Sequence, residues 1–294
     1  EKPNGSNQKT AKQSHANPPH ANIHGKNPPL DLPEIKRIIV VASGKGGVGK
    51  STMAVNIAAT LAAKGERIGL MDADIYGPSI PRLTGLSDKG KPEMTEGQII
   101  PYETHGLKVM SMGFMVEETA PMVWRGPMVQ TAIYQMLRDV KWGALDTLVI
   151  DMPPGTGDAQ LTIAQKIRVD GAVIVTTPQD IALSDAIKGI EMFRKVDVPI
   201  LGLIENMSHF ICPSCGESTD IFSSGGGQRT AEQHKVIFLG EVPLHPYLRE
   251  LSDRGCPAVL DHRPDQAEAK ADYTPDYRTI FERITQKIIS EMSS

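Results

Sequence analysis

The chain has 294 residues, 40% of them hydrophobic and 22% charged, enough for one large α/β domain with a sizeable buried core plus a tail. A formal net charge of −4 and a pI near 6.1 leave no overall basic excess of the kind that draws proteins to polyanions, so neither nucleic acid nor a membrane surface is expected as a partner. Three cysteines, an odd number, and the lack of an apolar run of membrane-spanning length argue against a disulfide framework and a bilayer anchor; a reducing, soluble compartment is the expectation.

Residues 1–34 are rich in Asn, Pro, His, Lys and Gln without apolar periodicity, and read as a flexible linker or tail ahead of one domain over 35–294. His15, His20 and His24 lack cysteine or carboxylate company, and a solvated linker is preferred over a metal tract. The β-branched run 37–42 (RIIVVA) predicts a buried strand. After a glycine turn, 51–64 places Val55, Ala58, Ala59, Leu61 and Ala62 at helical spacing and stops at Gly65. Apolar runs at 68–71, 147–150, 172–175, 200–204 and 237–239 predict further strands, with helical stretches of crossover length between most of them. The fold class expected is therefore α/β, a mostly parallel doubly wound sheet. Segments 98–101 and 107–112 flank Thr104-His105-Gly106 and predict a hairpin, and 275–291 predicts a last helix.

The run Gly44-Lys45-Gly46-Gly47-Val48-Gly49-Lys50-Ser51 follows the first strand and opens the first helix. Phosphate binding needs backbone N–H groups that side chains do not obstruct, a helix N-terminus behind them, a lysine for the β/γ oxygens and a hydroxyl for Mg²⁺. Glycines 44, 46, 47 and 49, with Lys50 and Ser51, supply all of these, and Val48 and Thr52 complete the expected nucleotide-contacting stretch. Asp72-Ala73-Asp74 follows the second strand, and Asp151-Met152-Pro153-Pro154-Gly155-Thr156-Gly157-Asp158 follows the run 147–150. Carboxylates at the C-terminal ends of parallel strands face the ligand crevice. Asp151 is read as the Walker B carboxylate and Asp74 as the group orienting the attacking water; Ser51, Asp72 and Asp151 are the candidate magnesium ligands, direct or through water. ATP, Mg²⁺ and slow hydrolysis are the chemistry expected.

The second lysine, Lys45, makes the loop KGGVGKS resemble the deviant Walker motif of MinD/ParA/NifH-class P-loop ATPases. That resemblance implies that Lys45 reaches a partner subunit's nucleotide, and hence a homodimer. The segments DADIYGPSIP (72–81), VWRGP (123–127), DMPPGTGD (151–158), TPQD (177–180) and ENMS (205–208), followed by Cys212-Pro213-Ser214-Cys215-Gly216, resemble the Mrp/ApbC family of iron–sulfur cluster carrier ATPases from about residue 35 to the C-terminus. By that resemblance Asn206 contacts adenine, the chain near Pro243 closes over the base, and apo iron–sulfur proteins receive the cluster. Bacterial cytoplasm is the compartment implied, with the mitochondrial matrix as the alternative. Bacterial members often carry a separate small N-terminal domain, and the Pro/Asn/His tail resembles the linker that would join it, so a truncated chain is one expectation; without the cysteine-rich extension of the cytosolic eukaryotic scaffold branch, that branch is disfavoured.

Cys212-x-x-Cys215, in an excursion near 207–223, is compatible by itself with zinc, a redox pair or no ligand. Clusters and structural zinc typically take four protein ligands, so a two-fold dimer is the natural way to assemble four thiolates, and a bridging [4Fe–4S] cluster is expected. Cys256 is read as a plain thiol. The competing functions are a MinD/ParA-like positioning ATPase and a zinc-stabilised ATPase without a cluster. The first would use the face Ile280, Phe281, Ile284 and Ile288 on membrane, yet Glu282 and Glu291 dilute Arg278, Arg283 and Lys287, and packing on the domain core is favoured.

Overall fold

A computed structural model describes residues 30–115, 126–261 and 273–293. Most of the tail at 1–34, with its three histidines, and the first three residues of VWRGP lie outside the described residues.

The run IIVVA forms β1 (Ile38–Ala42), every residue of it buried. The glycine loop leads into α1 (Lys50–Ala63), whose chain turns out at Gly65 in the left-handed region (φ 90°). Next come β2 (Ile68–Asp72), β3 (Tyr102–Thr104) and β4 (Leu107–Ser111). Helix α2 (Gly126–Asp139), β5 (Thr147–Asp151), α3 (Asp158–Lys166), β6 (Gly171–Thr176) and α4 (Asp180–Lys195) follow. The last part holds β7 (Ile200–Ile211), β8 (Ser218–Thr219), α5 (Gly226–Gln233), β9 (Phe238–Leu244), α6 (Pro246–Asp253) and α7 (Tyr277–Met292).

The sheet order is β8-β7-β6-β1-β5-β2-β4-β3, with β9 also pairing β7. All pairings are parallel except those of the edge strands β3 and β8. Such a sheet must be covered on both faces, and its strands accordingly read as continuous apolar runs rather than alternating ones. Helices α1 and α7 contact each other over one face, α4 and α5 over the other. Phe281, Ile284 and Ile288 are buried and Ile280 packs against the core, so the apolar face of the last helix is spent on the domain, against β9 and α1. Among the described residues no helix is long and apolar enough to cross a membrane.

Two expectations need correction. The hairpin around His105-Gly106 joins β3 to β4, whereas Gln98–Ile99 pairs with Met94–Thr95 in a separate ribbon. Both turn residues have positive φ, and β4 continues as a parallel partner of β2, which the alternation of its residues concealed. The run 200–204 is only the first part of β7, which continues to Ile211; beyond it polar and apolar residues are mixed, with Glu205, Asn206 and Ser208 buried and Met207, His209, Phe210 and Ile211 half-buried, so no continuous apolar run marks it.

Candidate functional site

The loop between β1 and α1 wraps a cavity of about 280 Å³ lined by the glycines 46, 47 and 49, Lys50, Ser51, Thr52, Asp74 and Pro154, among others. Gly47 and Gly49 sit at φ 81° and 85°, conformations that a side chain would strain, and Gly49 leaves no room for one: a Cβ there would come within 2.2 Å of Asn206 Nδ2. A Cβ on Gly44 would meet the backbone oxygen of Asp185 at 2.1 Å, so this glycine allows α4 to approach the loop. Ser43 Oγ donates to the carbonyl of Lys45 at 2.8 Å and Gly155 N donates to Ser43 O at 2.9 Å, tying the loop to the proline-rich segment after β5. Helix α1 has no acidic residue in its first turn, leaving its positive end open to an anion.

Lys50, 6% exposed, forms an ion pair with Asp151, which is fully buried, and its Nζ lies 3.4 Å from Ser51 Oγ. The other oxygen of Asp151, Oδ2, is buried with no hydrogen-bond partner among the described residues. An orphaned carboxylate oxygen beside a serine hydroxyl fits a metal-bound water, so Ser51 and Asp151 are groups that could hold Mg²⁺. Asp74 lines the cavity and accepts from Tyr76 N and Gly77 N, at 3.2 and 3.3 Å. Asp72 is different: it has no exposed surface, and both oxygens are engaged by Asp74 N, Ile80 N and Ser111 Oγ. That bonding ties it to the 72–80 loop, whereas Asp151 keeps one oxygen without a partner among the described residues.

Burial, with the negative charge of Asp151 next, pushes the Asp72 carboxyl up to about 7. Burial also raises Asp151 and Glu205. In the unfolded chain these groups ionise near pH 4. The native state therefore binds more protons than the unfolded one from about pH 4 to about pH 7, and stability falls as pH rises through that window. The magnesium-free, nucleotide-free protein is expected to melt at a lower temperature at pH 7.5 than at pH 5; a melting temperature that climbed steadily over that range would contradict these environments.

Strand β7 links this cradle to the cysteines. Asn206 Nδ2 donates to Val48 O at 2.8 Å, clamping the loop from the sheet side. One residue on, Met207 takes φ 55° and bends the strand, which then runs out to Ile211 and pairs with β8 across a tight turn. Within the turn, Gly216 N donates to Cys212 O at 2.8 Å and Cys212 N to Glu217 O at 3.0 Å. Gly216 has φ 75°, and a Cβ there would lie 2.2 Å from the Tyr273 ring. Cys212 is half-buried and Cys215 exposed. The backbone N–H groups of Ser214 and Cys215 hold the Cys212 thiol below its ordinary range, favouring the thiolate, which is the form that binds metal. Cys256 lies elsewhere, half-buried, its thiol raised by burial.

The structure lines one cavity with Gly46, Gly47, Gly49, Lys50, Ser51, Thr52 and Asp74; Asp151 adjoins it through its ion pair with Lys50, Asp72 is buried, and Gly44, Lys45 and Val48 belong to the loop without lining the cavity. Asn206 touches the loop from beneath, and Pro243 lies in β9 with its carbonyl accepting from Tyr277 Oη at 3.4 Å; neither lines the cavity. Lys45 is half-buried, its Nζ 3.5 Å from Gln179 Oε1. Ser43 carries no sequence signal for its contact with the loop, and Gln179 and Glu205 stand in the segments TPQD and ENMS without one for the partners they meet. A lone acidic residue inside the apolar run ILGLIEN was the signal available for Glu205.

A nucleotide cradle at the C-terminal ends of β1 and β5 in a mostly parallel sheet defines a P-loop NTPase. The profile described as ParA, NUBPL iron-transfer P-loop NTPase, matches residues 34–284, and the chain belongs to that family. The iron-sulfur cluster transfer protein NUBPL of Mus musculus is 56% identical over 81% of this chain and 74% of its own length. An iron-sulfur cluster carrier protein of Salmonella typhimurium is 52% identical over 86% of this chain and 67% of its own. Among solved structures, a nucleotide-binding protein from Archaeoglobus fulgidus in complex with ADP superposes with a TM-score of 0.68 at 39% identity, covering 82% of this chain and 95% of that one. The cell division ATPase MinD of Pyrococcus furiosus shares the fold, with a TM-score of 0.61 at 21% identity over 87% of this chain and 99% of its own.

Proposed function

We propose that this chain binds and slowly hydrolyses Mg-ATP at the Lys50 loop and, as a homodimer, carries an iron–sulfur cluster on Cys212 and Cys215 for delivery to apo-proteins. The observation that carries the reading is that one strand, β7, holds the loop contact Asn206 and ends in the two-thiol turn. The names of the relatives support the cargo.

In this reading the N–H groups of the loop and the start of α1 cradle the phosphates, and Lys50 exchanges its bond to Asp151 for the β/γ oxygens. Asp151 and Ser51 are then free to hold Mg²⁺, which neutralises phosphate charge when bound. Asp74 orients the attacking water, and the base lies toward Asn206 and the segment at Pro243. Lys45, at the mouth of the site, reaches the nucleotide of the facing subunit, which makes the dimer nucleotide-dependent. Two chains supply four thiolates for one [4Fe–4S] cluster. An exposed Cys215 suits a reducing compartment, the bacterial cytoplasm or the mitochondrial matrix.

Light scattering with a non-hydrolysable ATP analogue is expected to give a dimer, and Lys45→Ala to weaken it. A particle that stays monomeric with nucleotide and with metal would overturn the shared site. Anaerobic reconstitution with iron and sulfide tests the cargo: a broad visible band supports it, and zinc-only occupancy refutes it.

A further inference from the structure

We propose that Glu205 anchors the return leg of the cysteine turn, its buried carboxylate holding the N-terminus of α5 against the same strand that clamps the nucleotide loop. The inference rests on the reading of Cys212 and Cys215 as cargo ligands.

Successive side chains of a strand point to opposite faces. Asn206 meets Val48 and Gly49 on the α1 face, and Glu205 points to the α5 face. There its Oε2 accepts from Gly227 N, within the first turn of α5, where backbone N–H groups have no helical acceptor. The residue preceding the helix, Gly225, has no side chain with which to cap it. Glu205 is thus a cap supplied from a distant strand, and a charge-assisted one. The approach depends on glycine: a Cβ on Gly227 would lie 2.9 Å from both Glu205 Cβ and Oε2, and one on Gly226 would lie 2.7 Å from Leu183 Cδ1.

The carboxylate is fully buried and its Oε1 has no partner among the described residues. An apolar side chain would sit there at lower desolvation cost, so the carboxylate's contribution is the position it imposes. What it positions follows from connectivity. Residues 220–225 run from β8 directly into α5, and β8 itself is paired with β7 only through Ser218↔Ile211 and Thr219↔Phe210. With the bonds Cys212 N to Glu217 O and Gly216 N to Cys212 O, this short ladder fixes the turn itself, while the continuity of β7 anchors its outgoing leg to the domain and the Glu205 cap anchors its return leg. Cys212 and Cys215 lie between these two supports. Anchoring both legs holds the thiolates at one separation before cargo arrives, lowering the ordering cost of binding it.

Hydrogen exchange on the metal-free protein reads the anchor without any cargo. In Glu205→Ala the amides of 210–225, those of Cys212 and Gly216 included, are expected to exchange on the order of 10-fold faster, with α1 unchanged. Gly227→Ala should act in the same way by pushing the helix off its cap. Glu205→Gln, which keeps an acceptor oxygen without the charge, should fall between Ala and wild type. Chelator-driven loss of iron from the reconstituted protein should follow the same order. Exchange at the wild-type rate in both Glu205→Ala and Gly227→Ala would overturn the anchor. Should Glu205→Ala not fold, Gly227→Ala and Glu205→Gln carry the test. A wild type that takes up no iron would refute the cargo reading, which the exchange result does not depend on.

Discussion

Lys50→Ala is expected to lower ATP turnover by about 100-fold or more, the loss typical when a preorganised group that meets developing charge is removed from a water-poor site. Lys50 sits inside the loop at the start of α1, nine-tenths buried, and among the described residues no other lysine or arginine lines the cavity. The variant also strips Asp151 of its ion-pair partner beside Asp72, both fully buried. Leaving a buried charge unpaired costs about 3–5 kcal/mol unless the group neutralises, and burial already favours the protonated carboxyl here. The variant should therefore fold better at pH 5 than at pH 8, more so than wild type. Asp151→Asn separates the two effects, since it keeps a polar partner for Lys50 but should weaken Mg²⁺-dependent turnover by about 10-fold or more. Phosphate release by Lys50→Ala at the wild-type rate would place the active site elsewhere.

The nucleotide site was legible in the sequence because its requirements are local. Eight consecutive residues supply glycines, lysine and hydroxyl, and the strand before and the helix after are strongly patterned. Asp74 and Asp151 could be placed near the loop because each stands at the end of an apolar strand run, and strand ends in a parallel sheet share one rim. What stayed hidden depends on pairing across long separations. Glu205 and Gly227 lie on different elements, as do Lys45 and Gln179, and no periodicity reports that they meet. The outer part of β7 was hidden for another reason: beyond Ser208 the strand leaves the core, so its residues are selected by the turn they carry rather than by burial. The same holds for Asp72, whose motif position resembles a metal ligand's while its hydrogen bonds tie it to the 72–80 loop and Ser111.

Replacing Cys212 and Cys215 together by Ala is expected to abolish the visible band of the reconstituted protein and all cluster transfer, while ATP binding persists. The turn that carries them is a late excursion beyond the bend at Met207, held by its own hydrogen bonds, so the loop between β1 and α1 does not need the thiols. Each chain brings one close pair, four thiolates are needed, and a two-fold axis supplies them without another ligand. A site divided between subunits also loses half its ligands when they separate, the lability required of a carrier and harmful in a structural centre. Single variants should hold iron weakly rather than not at all, because two thiolates from the dimer remain. Cys256→Ala should behave as wild type, since that thiol is raised by burial and lies away from the turn. Iron content, the visible spectrum and transfer to an apo-ferredoxin measure these outcomes together. Retention of wild-type iron in the double variant would show that the iron is held by other residues.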